Sequence, residues 1–428
     1  GSPIEQWLSP PTRCRYTTRV TGDNFERRLV PLTRMTLKGF LWYQGEFNLG
    51  SQHISGSSLG GYGYGCMLPE LVRKWRARWS AVAGTTAPDA PFGVATVAAN
   101  GGWFGARDFG GFRHAQTANY GTLPNPLMPN SFLAQGYDVT DPWGNRSPPD
   151  APDLLPGGML WIHPRNKQVY GARLARAAFA QVYGGQRAAS GPTVTSCRVE
   201  QGGAGGKDGK DGSRLVLRFG AAALRGEQLV LQGYRPGRSL LQVLRVREAL
   251  CMQPVQHCPQ VSASPLLRKT SCVGCGGCPP KARRNFCPAA FGPDFDPRKV
   301  DLFDWTAVHG PLLAMYAPNE EWETHWQPLN ITPGAPFEVV ADLGPLRGGA
   351  VHAVRYAWGV RTAADVEESM HCCEDGDPEV MLGPTQSRAK PCRAGLCPIM
   401  ASGGLPANPF FARIVGGKCQ CIPPQVCD

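Results

Sequence analysis

Hydrophobic and polar positions follow two different patterns along the chain. Over residues 37–188 apolar runs alternate with segments of helical period, the pattern of parallel βαβ units. Leu37–Tyr43 reads as a buried strand, Phe92–Val97 as a second and Ser131–Val139, with the acidic Asp138 at its end, as a third. Leu71, Trp75 and Trp79 recur every four residues in Pro69–Trp79. That spacing places them on one helix face, and it puts Pro69 in a first turn, where its missing N–H costs nothing. A short helix is expected at Arg113–Asn119. A longer one is expected at Pro164–Gly184, with Tyr170, Leu174, Ala178 and Val182 at four-residue intervals and Gly184-Gly185 as its stop. In parallel sheets of this kind ligands gather at the carboxyl ends of the strands. Gln44, Asp138 and His163 all fall on that side.

After about residue 190 the pattern changes to short alternating runs, Arg214–Phe219, Glu227–Tyr234 and Val351–Trp358, separated by Gly/Pro-rich turns and the low-complexity stretch Gly202–Gly212. Two domains are expected: an α/β domain over residues 1–188, and a β-rich, cysteine-rich region with Gly-rich insertions over residues 189–428. No internal repeat is visible.

Composition refines this picture. Gly (53) and Pro (40) are abundant while only 18% of residues are charged, which indicates a globular protein with many turns rather than a disordered one. The net charge of +11 invites a nucleic-acid reading. The Lys and Arg residues are scattered, however, and no basic stretch is interleaved with aromatics as base-stacking modules require, so no nucleic-acid partner is expected. No run approaches the ~20 apolar residues of a membrane-spanning helix, and no transmembrane segment is expected.

Of the 16 cysteines, all but Cys14 and Cys66 lie after residue 190. That usage favours an oxidising compartment, and with it the secretory pathway and an extracellular or lysosomal location. The sequons Asn145-Arg146-Ser147 and Asn330-Ile331-Thr332 point to a glycoprotein, weakly, since such triplets are common and proline follows each. Cys272-Val273-Gly274-Cys275-Gly276-Gly277-Cys278, with Cys287 beyond, has a spacing open to zinc or iron–sulfur ligation. The cysteine-rich context and the lack of a proper second ligand pair favour disulfides, for this cluster and for Cys372-Cys373. No metal and no cofactor are expected.

Acyl transfer needs a nucleophile, a base and donors aimed at the developing oxyanion. Leu37–Asn48 ends an apolar strand abruptly in Trp42-Tyr43-Gln44-Gly45-Glu46, a strand end that delivers a side-chain amide into a turn. Gly45 permits a backbone conformation that lets Gln44 face a ligand. Gln44 is the best oxyanion donor, with Gly45, Glu46 and Asn48 around it; hydrogen bonding of Gln44 and Glu46 to loop backbone is the competing reading. His163 precedes Pro164, a proline suited to the first position of a helix, so the imidazole is expected near a helix N-cap whose dipole favours the neutral base. A structural capping role is the alternative. Among the remaining histidines His114 is the one expected to approach the site.

The motifs resemble sialate O-acetylesterases, of the SGNH-type hydrolases. The resemblance is carried in order by Gly1–Trp7, Thr36–Asn48, Gln116–Gly121 with Pro124–Asn130, and Ile162–Gln168, and again by Val354–Trp358 and Leu405–Phe410; residues 190–350 are only loosely similar. It implies a three-layer α/β/α hydrolase domain that removes acetyl groups from sugar hydroxyls without metal, with an O-acetylated carbohydrate as substrate. In such enzymes a serine in a Gly-Gln-Ser-Asn type motif attacks the ester. That motif precedes the segment matched here by Gly1–Glu5, so the nucleophile is expected outside this chain and the chain alone is expected to be inactive. Gly1 matches the glycine of a backbone oxyanion donor, and Ser2 stands where the family usually has threonine.

Many relatives carry Asp two or three residues before the histidine, whereas Leu160 and Trp161 stand there in this chain. An apolar group cannot orient an imidazole. Asp138 is therefore the favoured acid, with Asp141, Asp150 and Asp153 as alternatives and a turn-capping role as the competing reading. The principal rival to an esterase is a catalytically inactive homologue that binds glycans or extracellular partners; a metal-binding module built on the cysteine cluster is a further one.

Overall fold

The computed structural model describes residues 24–46, 48, 62–98, 109–118, 120–139, 163–164, 166–201, 212–234, 239–245, 326–344, 351–358, 372 and 394–420. No helix among them is long and apolar enough to cross a membrane. The cysteine cluster at 272–287, the sequon at Asn145, Gly1, Asp141, Asp150 and Asp153 lie outside the described residues.

The first half is α/β. Strand β1 (Phe40–Trp42) is followed by helix α1 (Tyr62–Trp79), β2 (Phe92–Ala95), helix α2 (Phe109–Ala115), β3 (Ser131–Ala134) and helix α3 (Gln168–Val182). The strands form a parallel sheet in the order β1-β2-β3, with Phe40 opposite Phe92 and Phe92 opposite Ser131. Phe40 and Trp42 are buried while Leu41 between them is exposed, as period-two alternation requires. Trp75 and Trp79 of α1 close on Phe40 with ring centres 5.8 and 5.4 Å away, and Trp75 also meets Trp42 edge-on at 5.4 Å. Each such aromatic removed from water contributes about 2–3 kcal/mol, which fixes α1 against the sheet. Helix α3 packs against β3 and β2, where Tyr170 meets Ala95, Ala134 and Val139.

The expected strands and helices are present with altered bounds, and the short helix runs Phe109–Ala115 rather than Arg113–Asn119, sharing only Arg113–Ala115 with the expectation. Pro69 lies inside α1 rather than in its first turn, because the helix starts at Tyr62. Tyr64, Met67 and Leu68 are fully buried in that added stretch, and their burial outweighs the single backbone bond proline cannot make. The third strand stops at Ala134, so Asp138 sits in the turn beyond it rather than at a strand end. Helix α3 begins at Gln168, not Pro164, and its buried positions are Tyr170, Arg173, Ala177 and Ala180. A stride of four residues advances 400°, so a face extrapolated at that interval drifts by about 40° per turn; the true stride of 3.6 selects Arg173 over Leu174.

The second half is antiparallel β. Strands β4 (Val194–Glu200), β5 (Ser213–Phe219), β6 (Leu229–Leu231), β7 (Leu241–Leu244), β8 (Trp326–Pro328), β9 (Ile331–Pro333), β10 (Glu338–Gly344), β11 (Ala353–Tyr356), β12 (Ile399–Ala401), β13 (Phe410–Val415) and β14 (Lys418–Gln420) follow in sequence. Nine of them form one sheet in the order β8-β7-β11-β13-β14-β4-β5-β10-β9, and β12 pairs with β6. Leu215, Leu217, Phe219, Val339, Ala341, Val354 and Phe410 fill its core. Among the described residues two disulfides are present: Cys197–Cys419, which joins neighbouring strands β4 and β14, and Cys372–Cys397.

The halves meet through buried polar contacts. Tyr137 donates from its hydroxyl to the Ala407 carbonyl at 2.7 Å, and Gln135 Nε2 donates to Asn408 Oδ1 at 3.2 Å. Asn408 Nδ2 in turn donates to Ser190 Oγ at 2.9 Å and Thr193 Oγ1 at 2.8 Å, so one buried amide ties the sheet end, the connecting segment and the C-terminal strands together.

Candidate active site

The turn after β1 is held from below. Trp42 donates its indole N–H to the Tyr64 hydroxyl at 2.9 Å, and that hydroxyl lies 2.9 Å from Gln44 Oε1 and 3.1 Å from the Gln44 carbonyl oxygen. Gln116 Nε2 donates to the same carbonyl at 3.0 Å while Gln116 Oε1 accepts from the Val97 N–H at 2.9 Å. With its oxygen turned to Tyr64, the Gln44 amide points its nitrogen the other way, and Nε2 donates to Asn48 Oδ1 at 2.8 Å. Asn48 is fully buried. Gly45 has φ +144°, and a Cβ built on it would stand 2.5 Å from the Phe112 ring, so a side chain is excluded there both by conformation and by space.

His163 lies within electrostatic reach of this turn through Glu46. It is half-buried, and its Nδ1 is enclosed with no hydrogen-bond partner among the described residues. Burial pulls the imidazole below the ordinary histidine range, the Glu46 carboxylate opposes that pull, and Lys167 adds to it. The neutral form is therefore favoured, by burial and not by a helix end. Four residues separate His163 from the start of α3 at Gln168, and the N-cap position is taken by Lys167 without a side-chain cap. The expected N-cap placement of the histidine is thus corrected: the inward period of α3 is established only from Tyr170 onward, and Pro164 alone does not start a helix.

Lys167 ties the two segments together. Its ammonium donates to the Tyr43 hydroxyl at 2.9 Å and lies 4.7 Å from the Tyr43 ring centre, and Tyr43 packs against Tyr170 with ring centres 4.7 Å apart. The Tyr170 hydroxyl donates to the Thr96 carbonyl at 3.0 Å. Burial, and then the charge of Glu46, push the Tyr43 phenol well above its ordinary range, so it stays protonated. Partial desolvation pulls Lys167 down and Glu46 pushes it back up. Glu46 is the carboxylate whose charge is felt by Tyr43, His163, Lys167 and Tyr170 alike.

Asp138 is not brought to His163. Its carboxylate is fully buried and gripped by Arg173 of α3, Oδ1 by Nη1 at 2.5 Å and Oδ2 by Nη2 at 2.6 Å, and Oδ2 also accepts the Gly395 N–H at 2.9 Å. The expectation that Asp138 orients the histidine is corrected on that ground. An acidic residue after a strand is a weak signal when a buried arginine elsewhere can claim it. His114 packs on Trp358 at 5.3 Å, and burial pulls its imidazole down to about 4. Among the described residues no three His, Cys, Asp or Glu side chains are grouped to hold a metal ion.

The sequence names Gln44, Gly45, Glu46 and His163 as candidates but not Tyr64, Gln116 and Lys167, whose contacts hold the turn in place. Tyr64 lies ahead of the expected helix Pro69–Trp79, in the stretch that the structure adds to α1. Gln116, Tyr43 and Lys167 lie within the motif stretches, but nothing in their residue types shows that they hold the turn; that rests on contacts between distant segments.

No family model matches the chain. Over 189 residues it is 34% identical to mouse sialate O-acetylesterase, a match covering 41% of this chain and 30% of the mouse protein. The human sialate O-acetylesterase is 32% identical over 203 residues, covering 43% of this chain and 34% of that protein. The chain thus spans about a third of the length of the curated relatives it matches. Among solved structures a carbohydrate acetylesterase from Xanthomonas citri aligns with a TM-score of 0.47 at 17% identity, covering 96% of this chain and 58% of that one. The chain is similar to sialate O-acetylesterases, as its motifs indicate.

Proposed function

We propose that this chain carries the oxyanion and base side of a carbohydrate O-acetylesterase that hydrolyses acetyl esters on sugars, O-acetylated sialic acids in particular. The observation that carries the reading is the meeting of two segments: the Tyr43–Glu46 turn, with its anchored Gln44 amide, and the His163–Lys167 segment, joined by the Lys167–Tyr43 hydrogen bond. The kinship with sialate O-acetylesterases supplies the substrate class. In this reading residues 1–188 are an α/β/α domain and residues 189–428 a β-rich second region. The two disulfides support passage through the secretory pathway to an extracellular or lysosomal location.

A serine, which the resemblance puts ahead of Gly1, attacks the acetyl carbonyl while His163 takes its proton. Negative charge on the carbonyl oxygen is met by the Gln44 amide nitrogen, whose direction Tyr64 and Asn48 fix in advance, so no reorganisation is needed as charge develops. The imidazolium passes its proton to the departing sugar oxygen. Water then attacks the acetyl-enzyme with His163 as base again, and acetate leaves. Glu46, not Asp138, is the carboxylate that stabilises the imidazolium, since its charge acts on His163 while Asp138 is committed to Arg173.

The test is acetate release by the full-length protein from O-acetylated N-acetylneuraminic acid, together with labelling by a serine-directed fluorophosphonate. Release with labelling is the expected result. Sugar binding with neither would replace the esterase by a glycan-binding homologue.

A further inference from the structure

We propose that Lys167 determines the substrate preference of this site by receiving the carboxylate of an anionic O-acetylated sugar. The inference rests on the esterase reading for its setting, and on the surroundings of Lys167 for its chemistry. Lys167 is exposed, and its ammonium is held in place by the Tyr43 hydroxyl at 2.9 Å and by the faces of Tyr43 and Tyr170 at 4.7 and 6.0 Å. None of these partners carries a negative charge, because the Tyr43 phenol is kept protonated by burial. Among the described residues no carboxylate stands at ion-pair distance from Lys167.

An ammonium has three N–H donors, and one is spent on Tyr43. The others are available to a ligand oxygen, from a side chain already immobilised, so less rotamer entropy is lost on binding than for a freely moving lysine. Position selects the ligand. Lys167 is hydrogen-bonded to Tyr43, the residue before Gln44, and its charge is felt by His163, so the cation sits at the turn that carries Gln44 and within electrostatic reach of the base. A substrate whose acetyl group lies at those two residues has its own body next to Lys167.

The charged groups that face Lys167 are Glu46 and His163. Glu46 opposes an approaching anion at long range, so discrimination depends on direct contact with the ammonium rather than on a general positive field. A charge-assisted hydrogen bond of this kind corresponds to about 10- to 100-fold in affinity. The remaining possibility is that Lys167 only braces Tyr43; such a role would affect acidic and neutral substrates alike.

The experiment compares O-acetylated N-acetylneuraminic acid with its carboxyl methyl ester on full-length wild type, Lys167→Met and Lys167→Arg. The ratio of kcat/KM for acid over methyl ester is expected to fall about 10- to 100-fold in Lys167→Met, chiefly through KM, and to recover in Lys167→Arg. An unchanged ratio overturns the proposal. Equilibrium binding of unacetylated N-acetylneuraminic acid and its methyl ester separates the two readings. Preference for the acid, lost in Lys167→Met but without any hydrolysis, would keep Lys167 and remove the esterase; hydrolysis with no preference for the acid would do the reverse.

Discussion

Arg173 grips both carboxylate oxygens of Asp138 in the interior, at 2.5 and 2.6 Å, and so binds helix α3 to the turn after β3. The Gly395 N–H completes the acceptor set, which brings the C-terminal region onto the same carboxylate. Removing one member of a buried pair leaves the other charge uncompensated. Asp138→Asn is therefore expected to lower the unfolding free energy by about 3–5 kcal/mol in urea titration. Turnover per folded molecule should stay within about threefold, whereas loss of an acid that orients His163 would cost orders of magnitude. A stable variant with collapsed kcat would return Asp138 to the catalytic set.

The acid limb of kcat/KM should lie below the ordinary histidine value of about 6.5, because burial favours the neutral imidazole that acts as base. The signs for two variants are opposite. Glu46→Gln removes the charge that raises the His163 pKa, so the limb moves to lower pH even as kcat falls. Lys167→Met removes a charge that lowers it, so the limb moves to higher pH. A pH profile of all three proteins checks both directions, and shifts of the same sign would contradict the electrostatic account.

Much of the α/β half was legible because burial there follows period. Phe40 and Trp42 alternate with Leu41, and Trp75 and Trp79 recur on one helix face, so β1 and the inward face of α1 are legible from sequence. Local signals misled where tertiary burial overrode them: Pro69 reads as a start yet lies within α1, and Pro164 reads as a start four residues too early. Arg173 shows the other limit. A charged residue at an inward position looks like an error in the pattern until its partner, 35 residues away, is known. In the candidate site, Gln44 and His163 stand out in the sequence by their chemistry, while the parts played by Tyr64, Gln116 and Lys167 depend on contacts between distant segments that residue type alone does not reveal.

The β-rich half depends on Cys197–Cys419, which closes a sequence separation of 222 residues between adjacent strands. Such a bridge restricts the unfolded chain far more than a short loop would. Replacing both cysteines by serine is expected to cost about 2–5 kcal/mol, read as a lower thermal midpoint that reductant no longer shifts through this bond. An unchanged midpoint would show that the β4–β14 pairing holds without the crosslink.

The central claim is that His163 is the base of an esterase site completed by Gln44. Its most direct test is acetate release from O-acetylated N-acetylneuraminic acid by the full-length protein and by His163→Ala, at equal folded concentration and near-neutral pH. The account predicts a loss of about a thousandfold or more in kcat with KM little changed. Undiminished release by the variant would contradict it.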